Sequence, residues 1–286
     1  MKMTTCLRNM ISKEQALIIA PGVFDGLSAL LAKQAGFPVL YASGGAIARS
    51  AGYPDIGLLT LTEVCVRLDD IVQLSQVPVI ADADTGFGNA INVRRTVQMY
   101  ERLGLAALHI EDQTFPKRCG HLNDKSIIST EDMCHKVRVA KESLVDPDFV
   151  IIARTDAIAV EGIDSAIARS RAYLDAGADV IFVEAPETEA QIEKIAAEIP
   201  EPKLINMFSG GKTPMVSREK LHALGYKIMI VPSDLQRAAI KAMQNTLKEL
   251  YQSGNSAKIA DQLTSFQERE VIVDTKKYFD IDKIKR

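Results

Sequence analysis

The chain has 286 residues, 47% of them apolar and 25% charged, which is enough to bury a large core. A net charge of −3, from 34 Lys and Arg against 37 Asp and Glu, and an aromatic content of 6% without Trp exclude the basic, base-stacking surface of a nucleic-acid binder and the basic patch drawn to anionic membranes. No apolar run approaches the ~18–20 residues of a membrane span, and Lys13 and Glu14 interrupt any apolar run near the start, so neither a span nor a signal peptide is expected. Cys6, Cys65, Cys119 and Cys134 form no C-x-x-C pair, which excludes the common zinc and dithiol motifs and predicts a cytoplasmic protein with reduced thiols.

In chain order, short apolar runs alternate with amphipathic ones. The runs are Leu17–Pro21, Val39–Ser43, Val77–Asp82, Ala106–Glu111, Phe149–Arg154, Asp179–Glu184, Lys203–Met207 and Lys227–Val231. Apolar on consecutive positions, they read as strands buried on both faces of a parallel sheet. Helices are predicted over Asp25–Ala35, Thr62–Ser75, Asn92–Leu103, from Ser129 onward, and over Asp164–Ala176, Thr188–Glu198, Ser217–Leu224 and Asp234–Ser253, several ending at a Gly suited to positive φ. Ser129-Thr-Glu-Asp132 carries a capping-box pattern. Eight such pairs predict one closed (β/α)₈ barrel domain over residues 1–286, with 256–286 as a helical extension. An open doubly wound sheet is the competitor, but no G-x-G-x-x-G follows the first strand. The extension packs either on its own barrel or on a neighbouring subunit. Cys6 is expected in a frayed end, with Cys65 and Cys134 inert in helices.

Polar residues gather at the strand ends, where barrels of this kind place their active sites. Strand two ends Tyr41-Ala-Ser43-Gly44-Gly45, strand three Asp82-Ala-Asp84, strand four His109-Ile-Glu111-Asp112, strand five Arg154-Thr-Asp156, strand six Glu184 and strand seven Asn206. Buried carboxylates need a cationic partner. Asp82, Asp84, Glu111 and Asp55 therefore suggest a hard divalent cation, Mg²⁺ or Mn²⁺ in its place; the alternative is that they cap helices or pair with Arg94, Arg95 and Arg154. Asp82 and Asp84, two apart, would share a face of a regular strand. Ser43-Gly44-Gly45 is either a backbone cradle for an anion or a tight turn. Arg154 is either a bidentate carboxylate clamp or half of a structural ion pair. His109 reads as a satisfied core histidine.

After strand four comes Phe115-Pro-Lys-Arg-Cys-Gly-His-Leu-Asn123, a loop with a thiol, two cations and an imidazole in five residues. Lys117 and Arg118 beside Cys119 should ease its ionisation. The bland alternative is a solvated basic turn.

Taken together, Ser43-Gly44-Gly45, Asp82-Ala-Asp84-Thr-Gly-Phe-Gly88, His109-Ile-Glu111-Asp-Gln113, Lys117-Arg-Cys-Gly-His121, Ala153-Arg-Thr-Asp156 and Asn206 make the chain resemble the isocitrate lyase/phosphoenolpyruvate mutase superfamily from Pro21 to about Leu250. The Cys loop resembles its carbon–carbon lyase branch, which includes the 2-methylisocitrate and 2,3-dimethylmalate lyases. The resemblance implies a barrel whose last helices swap between subunits of a homotetramer. It implies Mg²⁺ on Asp82 and Asp84, with Asp55 and Glu111 reaching it directly or through water. It also implies a substrate carboxylate on Ser43, Gly44, Gly45 and Arg154, and a second carboxylate near Arg118, Gly120, His121, Glu184, Asn206 and Arg237. Cys119 would be the acid/base, Tyr41 or a metal-linked acid would take the hydroxyl proton, and Lys117, Arg118 and His121 would offset developing charge. Retro-aldol cleavage of a 2-hydroxy di- or tricarboxylate to an α-keto acid and a second carboxylate is the implied reaction. The competing readings are a phosphonomutase of the carboxyphosphoenolpyruvate type, an oxaloacetate hydrolase and a non-catalytic keto-acid-binding barrel. Met207-Phe-Ser-Gly-Gly211, Val231-Pro-Ser-Asp234 and Leu263-Thr-Ser-Phe266 depart from the methylisocitrate lyase pattern, around the second half of the substrate.

Overall fold

A computed structural model describes residues 1–13, 17–122 and 124–284; Asn123 of the Cys loop and the last two residues of the extension lie outside the described residues. The elements in order are α1 (Met3–Ser12), β1 (Ile18–Val23), α2 (Gly26–Gln34), β2 (Leu40–Ala42), α3 (Gly44–Ser50), α4 (Leu61–Ser75), β3 (Val79–Asp82), α5 (Ala90–Leu103), β4 (Ala107–Glu111), α6 (Thr130–Glu142) and β5 (Val150–Thr155). They continue with α7 (Ile158–Glu161), α8 (Ile163–Asp175), β6 (Val180–Val183), α9 (Glu189–Glu198), β7 (Lys203–Asn206), α10 (Arg218–Ala223), β8 (Tyr226–Val231), α11 (Asp234–Ser253), α12 (Phe266–Ile272) and α13 (Thr275–Asp282). All strand pairs are parallel, and β8 pairs back onto β1 to close an eight-stranded barrel.

Strand alternation decides what faces the barrel axis. Val39, Ile80, Ala107, Ile152, Val180 and Leu204 pack together inside, while Ile151, Ala153, Ile181 and Ile205 join the layer under the helices. Counting on by two from the inward set reaches Tyr41, Ser43, Asp82, His109, Glu111, Arg154, Glu184 and Asn206. The same alternation that builds the core thus delivers the polar strand ends to one mouth. Helix starts follow their caps: Asp25 with Ser28, Thr60 with Glu63, and Asn89 with Asn92 each make a reciprocal capping box. Ser129 makes half of one, accepting from the Asp132 amide.

Three helices were not expected. α1 is ordered, not frayed, because Leu7 and Ile11 insert against the inner cluster at the end of the barrel away from the polar residues. α3 starts immediately after β2, with Ser43 as its N-cap accepting from the Ala46 amide. α7 is a single turn before α8. α11 packs on the barrel near its start, where Gln236 is its one buried residue among those described and donates to the Ala46 carbonyl, while Met243, Leu247 and Leu250 are exposed on its apolar face. The extension touches its own barrel where the Gln34 side chain donates to the Ile272 carbonyl (3.1 Å), yet Phe266, Val271 and Phe279 remain exposed. Among the described residues no helix is long and apolar enough to cross a membrane.

Candidate active site

A cavity of about 60 Å³ opens at the C-terminal ends of the strands. Tyr41, Ser43, Gly45, Asp55, Asp82, Lys117, Cys119, Gly120, His121, Arg154, Glu184 and Asn206 all line it. Arg49, on the unforeseen α3, lines it too and was missed from sequence; Phe208, Pro232 and Ser233 line it from the two segments expected around the second half of the substrate. A larger open groove of about 1010 Å³, bordered by Leu59, Phe87, Ile91 and Phe115, carries Arg95, His135 and Lys136 but none of the clustered acids.

Asp82 ends β3 on the inward register. Asp84 does not continue a strand: its φ is +46°, and its amide donates to Asp82 Oδ1 (2.9 Å). The expectation of a shared strand face is corrected, since a tight turn brings the two carboxyls together. Gly44 and Gly45 are required by close approach: a Cβ on Gly44 would lie 2.7 Å from Asp82 Oδ2, and one on Gly45 2.6 Å from Asp55 Oδ2.

The Lys117 ammonium stands among these acids, paired with Asp55 and 2.8 Å from Asp84 Oδ1. Among the described residues no three His, Cys, Asp or Glu side chains converge in an arrangement that could hold a metal ion, and the Lys117 ammonium stands between Asp55 and Asp84. One ammonium does not balance them. Burial, together with Asp82 and Asp55, pushes Asp84 up to about 6 despite Lys117, and neither Glu111 oxygen accepts a hydrogen bond among the described residues although the residue is fully buried. A surplus of buried, hard oxygen donors fits a divalent cation of the Mg²⁺ class.

Arg154 is a structural ion pair on one side. Its Nε and Nη2 grip Asp156 (2.9 and 3.1 Å), and Asp156 is not a cavity group. Nη1 lies 3.3 Å from Glu111 Oε2, so the arginine also faces the acids. Asp112, behind it, accepts from Thr155 Oγ1, the Asp156 amide and the Tyr173 hydroxyl at 2.7–2.9 Å, a buried scaffold with no path to the cavity. His109 is buried as expected but not fully satisfied: Nε2 meets the Tyr41 hydroxyl at 2.8 Å, Nδ1 has no hydrogen-bond partner among the described residues, and burial lowers its basicity. Burial, then the Asp82 charge, pushes the Tyr41 phenol well above its ordinary value, so it keeps its proton and serves as a donor.

His121 is fixed by two contacts. Its Nδ1 accepts from the Lys212 amide (2.9 Å), which leaves Nε2–H to donate to Glu184 Oε1 (3.0 Å) in the neutral ring. Asn206 Nδ2 donates to the same Glu184 oxygen (3.2 Å), and Phe208 packs edge-on against the imidazole. Burial would raise the Glu184 carboxyl, but Arg154 and His121 outweigh it and hold it below the usual range.

The thiol departs from its sequence expectation. Cys119 is raised above the ordinary thiol value by burial first and by Asp55 next; the His121 amide, which donates to the sulfur, opposes this. The neighbouring cations do not ease ionisation, because the Lys117 charge is spent on the acids and Arg118 turns outward, half exposed, 3.5 Å from Asp124. Arg118 is therefore outside the cavity lining, its main chain tied on both sides to the Gln113 amide group. Arg237 is also outside, donating to the Ser209 carbonyl and Asp234 at the rim.

Residues 7–251 match the family model described as phosphoenolpyruvate phosphomutase. The 2,3-dimethylmalate lyase of Eubacterium barkeri is 44% identical over 92% of this chain and 91% of its own length, and the 2-methylisocitrate lyase of Aeropyrum pernix 45% identical over 90% and 82%. Among solved structures, 2,3-dimethylmalate lyase superposes with a TM-score of 0.93 (35% identity, 99% of this chain, 95% of that one). Oxaloacetate acetylhydrolase with 3,3-difluorooxalacetate follows at 0.92 (36%, 98% and 96%), and phosphonopyruvate hydrolase with oxalate and Mg²⁺ at 0.91 (29%, 99% and 99%).

Proposed function

Because the chain belongs to the phosphoenolpyruvate mutase/isocitrate lyase superfamily and is a carbon–carbon lyase within it, we propose that its substrate is a 2-hydroxy di- or tricarboxylate of the 2-methylisocitrate or 2,3-dimethylmalate type. The products are an α-keto acid such as pyruvate and a second carboxylate such as succinate or propionate. The observation that carries the reading is that the Cys119 thiol lines the same cavity as Asp55, Asp82, Arg154 and Glu184.

Asp82, Asp84, Asp55 and Glu111 would hold Mg²⁺, or Mn²⁺ in its place, which when bound supplies Lewis-acid polarisation of the 2-hydroxyl and the adjoining carboxylate. Ser43, Gly44, Gly45 and Arg154 orient that carboxylate, Arg154 being pre-set by Asp156. An acid of the cluster takes the hydroxyl proton; Tyr41, with its proton held, is better placed to donate a hydrogen bond to the forming oxo group. Cleavage leaves the bonding pair on the α-carbon of the second carboxylate as an enediolate. Lys117, which lines the same cavity, offsets its charge, an electrostatic contribution of about 3–4 kcal/mol per well-placed donor, while the His121 Nε2–H is committed to Glu184. Glu184 and Asn206 orient His121. Cys119 then delivers its proton to the carbanion carbon. Gly120 lets the loop lie against Arg154 and Glu184. Arg118 and Arg237, at the rim, guide entry of the second carboxylate.

The second reading is hydrolysis of oxaloacetate, favoured by the likeness to oxaloacetate acetylhydrolase. A panel of 2-hydroxy acids and oxaloacetate, followed by pyruvate and oxalate release with and without EDTA, separates the two. EDTA-sensitive pyruvate from a 2-hydroxy acid supports the lyase, oxalate supports hydrolysis, and no turnover of any candidate removes both. We further propose a homotetramer in which α11 and the following helices pack on a neighbouring subunit. The bare apolar face of α11 supports it, as do Leu27 and Leu31, exposed on α2 at 52% and 38%.

A further inference from the structure

Lys125 is buried in the loop segment that returns from Cys119 to α6, in a position no part of the proposed chemistry uses. Its ammonium donates to the Gly120 carbonyl (2.6 Å) and to Asp156 Oδ1 (2.8 Å), with both side chains inaccessible to solvent. Asp156 spends its remaining capacity on Arg154, through Nε and Nη2, and its amide is anchored on Asp112. One carboxylate is thus shared between the carboxylate-binding arginine and a lysine holding the peptide next to Cys119. Gly120 presses directly on this arrangement: a Cβ there would lie 2.5 Å from Glu184 Oε1 and would also meet Arg154 Nη2. Buried lysines are costly unless fully paired, and here the pairing runs between a loop and a strand end, not within one element.

We propose that Lys125 and Asp156 are positioning residues that latch the Cys119 loop to Arg154, so that the proton donor is held over the cavity only while the arginine is in place. Lys125 supplies two donors in one direction each, which neither a solvated loop lysine nor a simple ion pair would need. The kinetic meaning of the latch rests on the lyase reading; its structural meaning does not.

The test is alkylation of the full-length protein by iodoacetamide, resolved by peptide mass spectrometry. Cys65 and Cys134, both buried in helices, report general loosening. Lys125→Met should speed alkylation of Cys119 at least tenfold while Cys65 and Cys134 keep their rates. Loss of a nearby positive charge can only slow thiolate formation, so acceleration measures access. Unchanged Cys119 reactivity overturns the latch, and so does parallel acceleration of all three, which would mark Lys125 as a general stability element. Lys125→Gln, retaining one donor for Gly120, gives the same test with a smaller rise where the Met variant does not fold. No substrate is needed, so the result stands whether or not the lyase reading does. With a cleaved substrate in hand, Lys125→Met should lower kcat tenfold or more and leave KM within threefold; a change confined to KM counts against the latch.

Discussion

Replacing Cys119 by Ser removes one acidic proton and almost nothing else. The thiol is partly exposed, so exchanging sulfur for oxygen should change stability by less than about 0.5 kcal/mol. The acid/base consequence is larger. Burial and Asp55 raise the Cys119 thiol, yet even so it is a far better proton donor than an alcohol. General-acid steps contribute about 10²–10⁴-fold, or about 3–5.5 kcal/mol at 1.36 kcal/mol per decade, and the weak acidity of serine places the expected loss at the upper end. Binding of pyruvate in the presence of Mg²⁺ should stay within about threefold, because Arg154 and the acids are untouched. The sign of the pH effect follows from the same shift: a required protonated group whose value is raised stays active through neutrality and loses activity as pH rises through that raised value. Wild-type kcat should therefore hold flat to above the ordinary thiol range and then fall. Turnover of Cys119→Ser within about threefold of wild type, measured as pyruvate release from the panel's best substrate, would refute the assignment.

Three further outcomes are expected. Adding Mg²⁺ at about 100 times its Kd should stabilise the protein by about 2.7 kcal/mol in a thermal shift assay, with EDTA reversing the gain and abolishing turnover; no shift would remove the cation from Asp82 and Asp84. Leu7→Ala, at a fully buried contact of α1 with the barrel end, should cost about 2–4 kcal/mol in urea unfolding, whereas a frayed terminus would cost nothing. Met243→Glu combined with Leu247→Glu should reduce the mass seen by light scattering without unfolding the barrel, because it charges the bare face of α11; an unchanged mass means that face is not an interface.

The barrel was legible because parallel strands buried on both faces leave uninterrupted apolar runs, and all eight runs became strands. The inward set was legible for the same reason: counting by two along each run lands on Tyr41, Asp82, His109, Arg154, Glu184 and Asn206. What alternation does not reach is anything set by a turn or by a partner far along the chain. Asp84 met Asp82 through a left-handed residue, which no strand periodicity encodes. α3 was hidden because its seven residues contain two glycines, poor helix formers kept for the approach of Asp82 and Asp55.

The same limit explains the misjudged thiol. Sequence neighbours suggest an electropositive cysteine, but charge acts through space and dielectric, not along the chain. Lys117 and Arg118 leave Cys119 in opposite directions, one into the acids and one into solvent, while Asp55, distant in sequence, comes close. A lowered pKa would have suited a nucleophile. A raised one keeps the proton available at neutral pH, the condition for protonating a carbanion. The fold thus selects between the two uses of the same loop. It does so with burial and with carboxylates from the α3–α4 connection, Asp55, and the end of β6, Glu184, which share no motif with the cysteine.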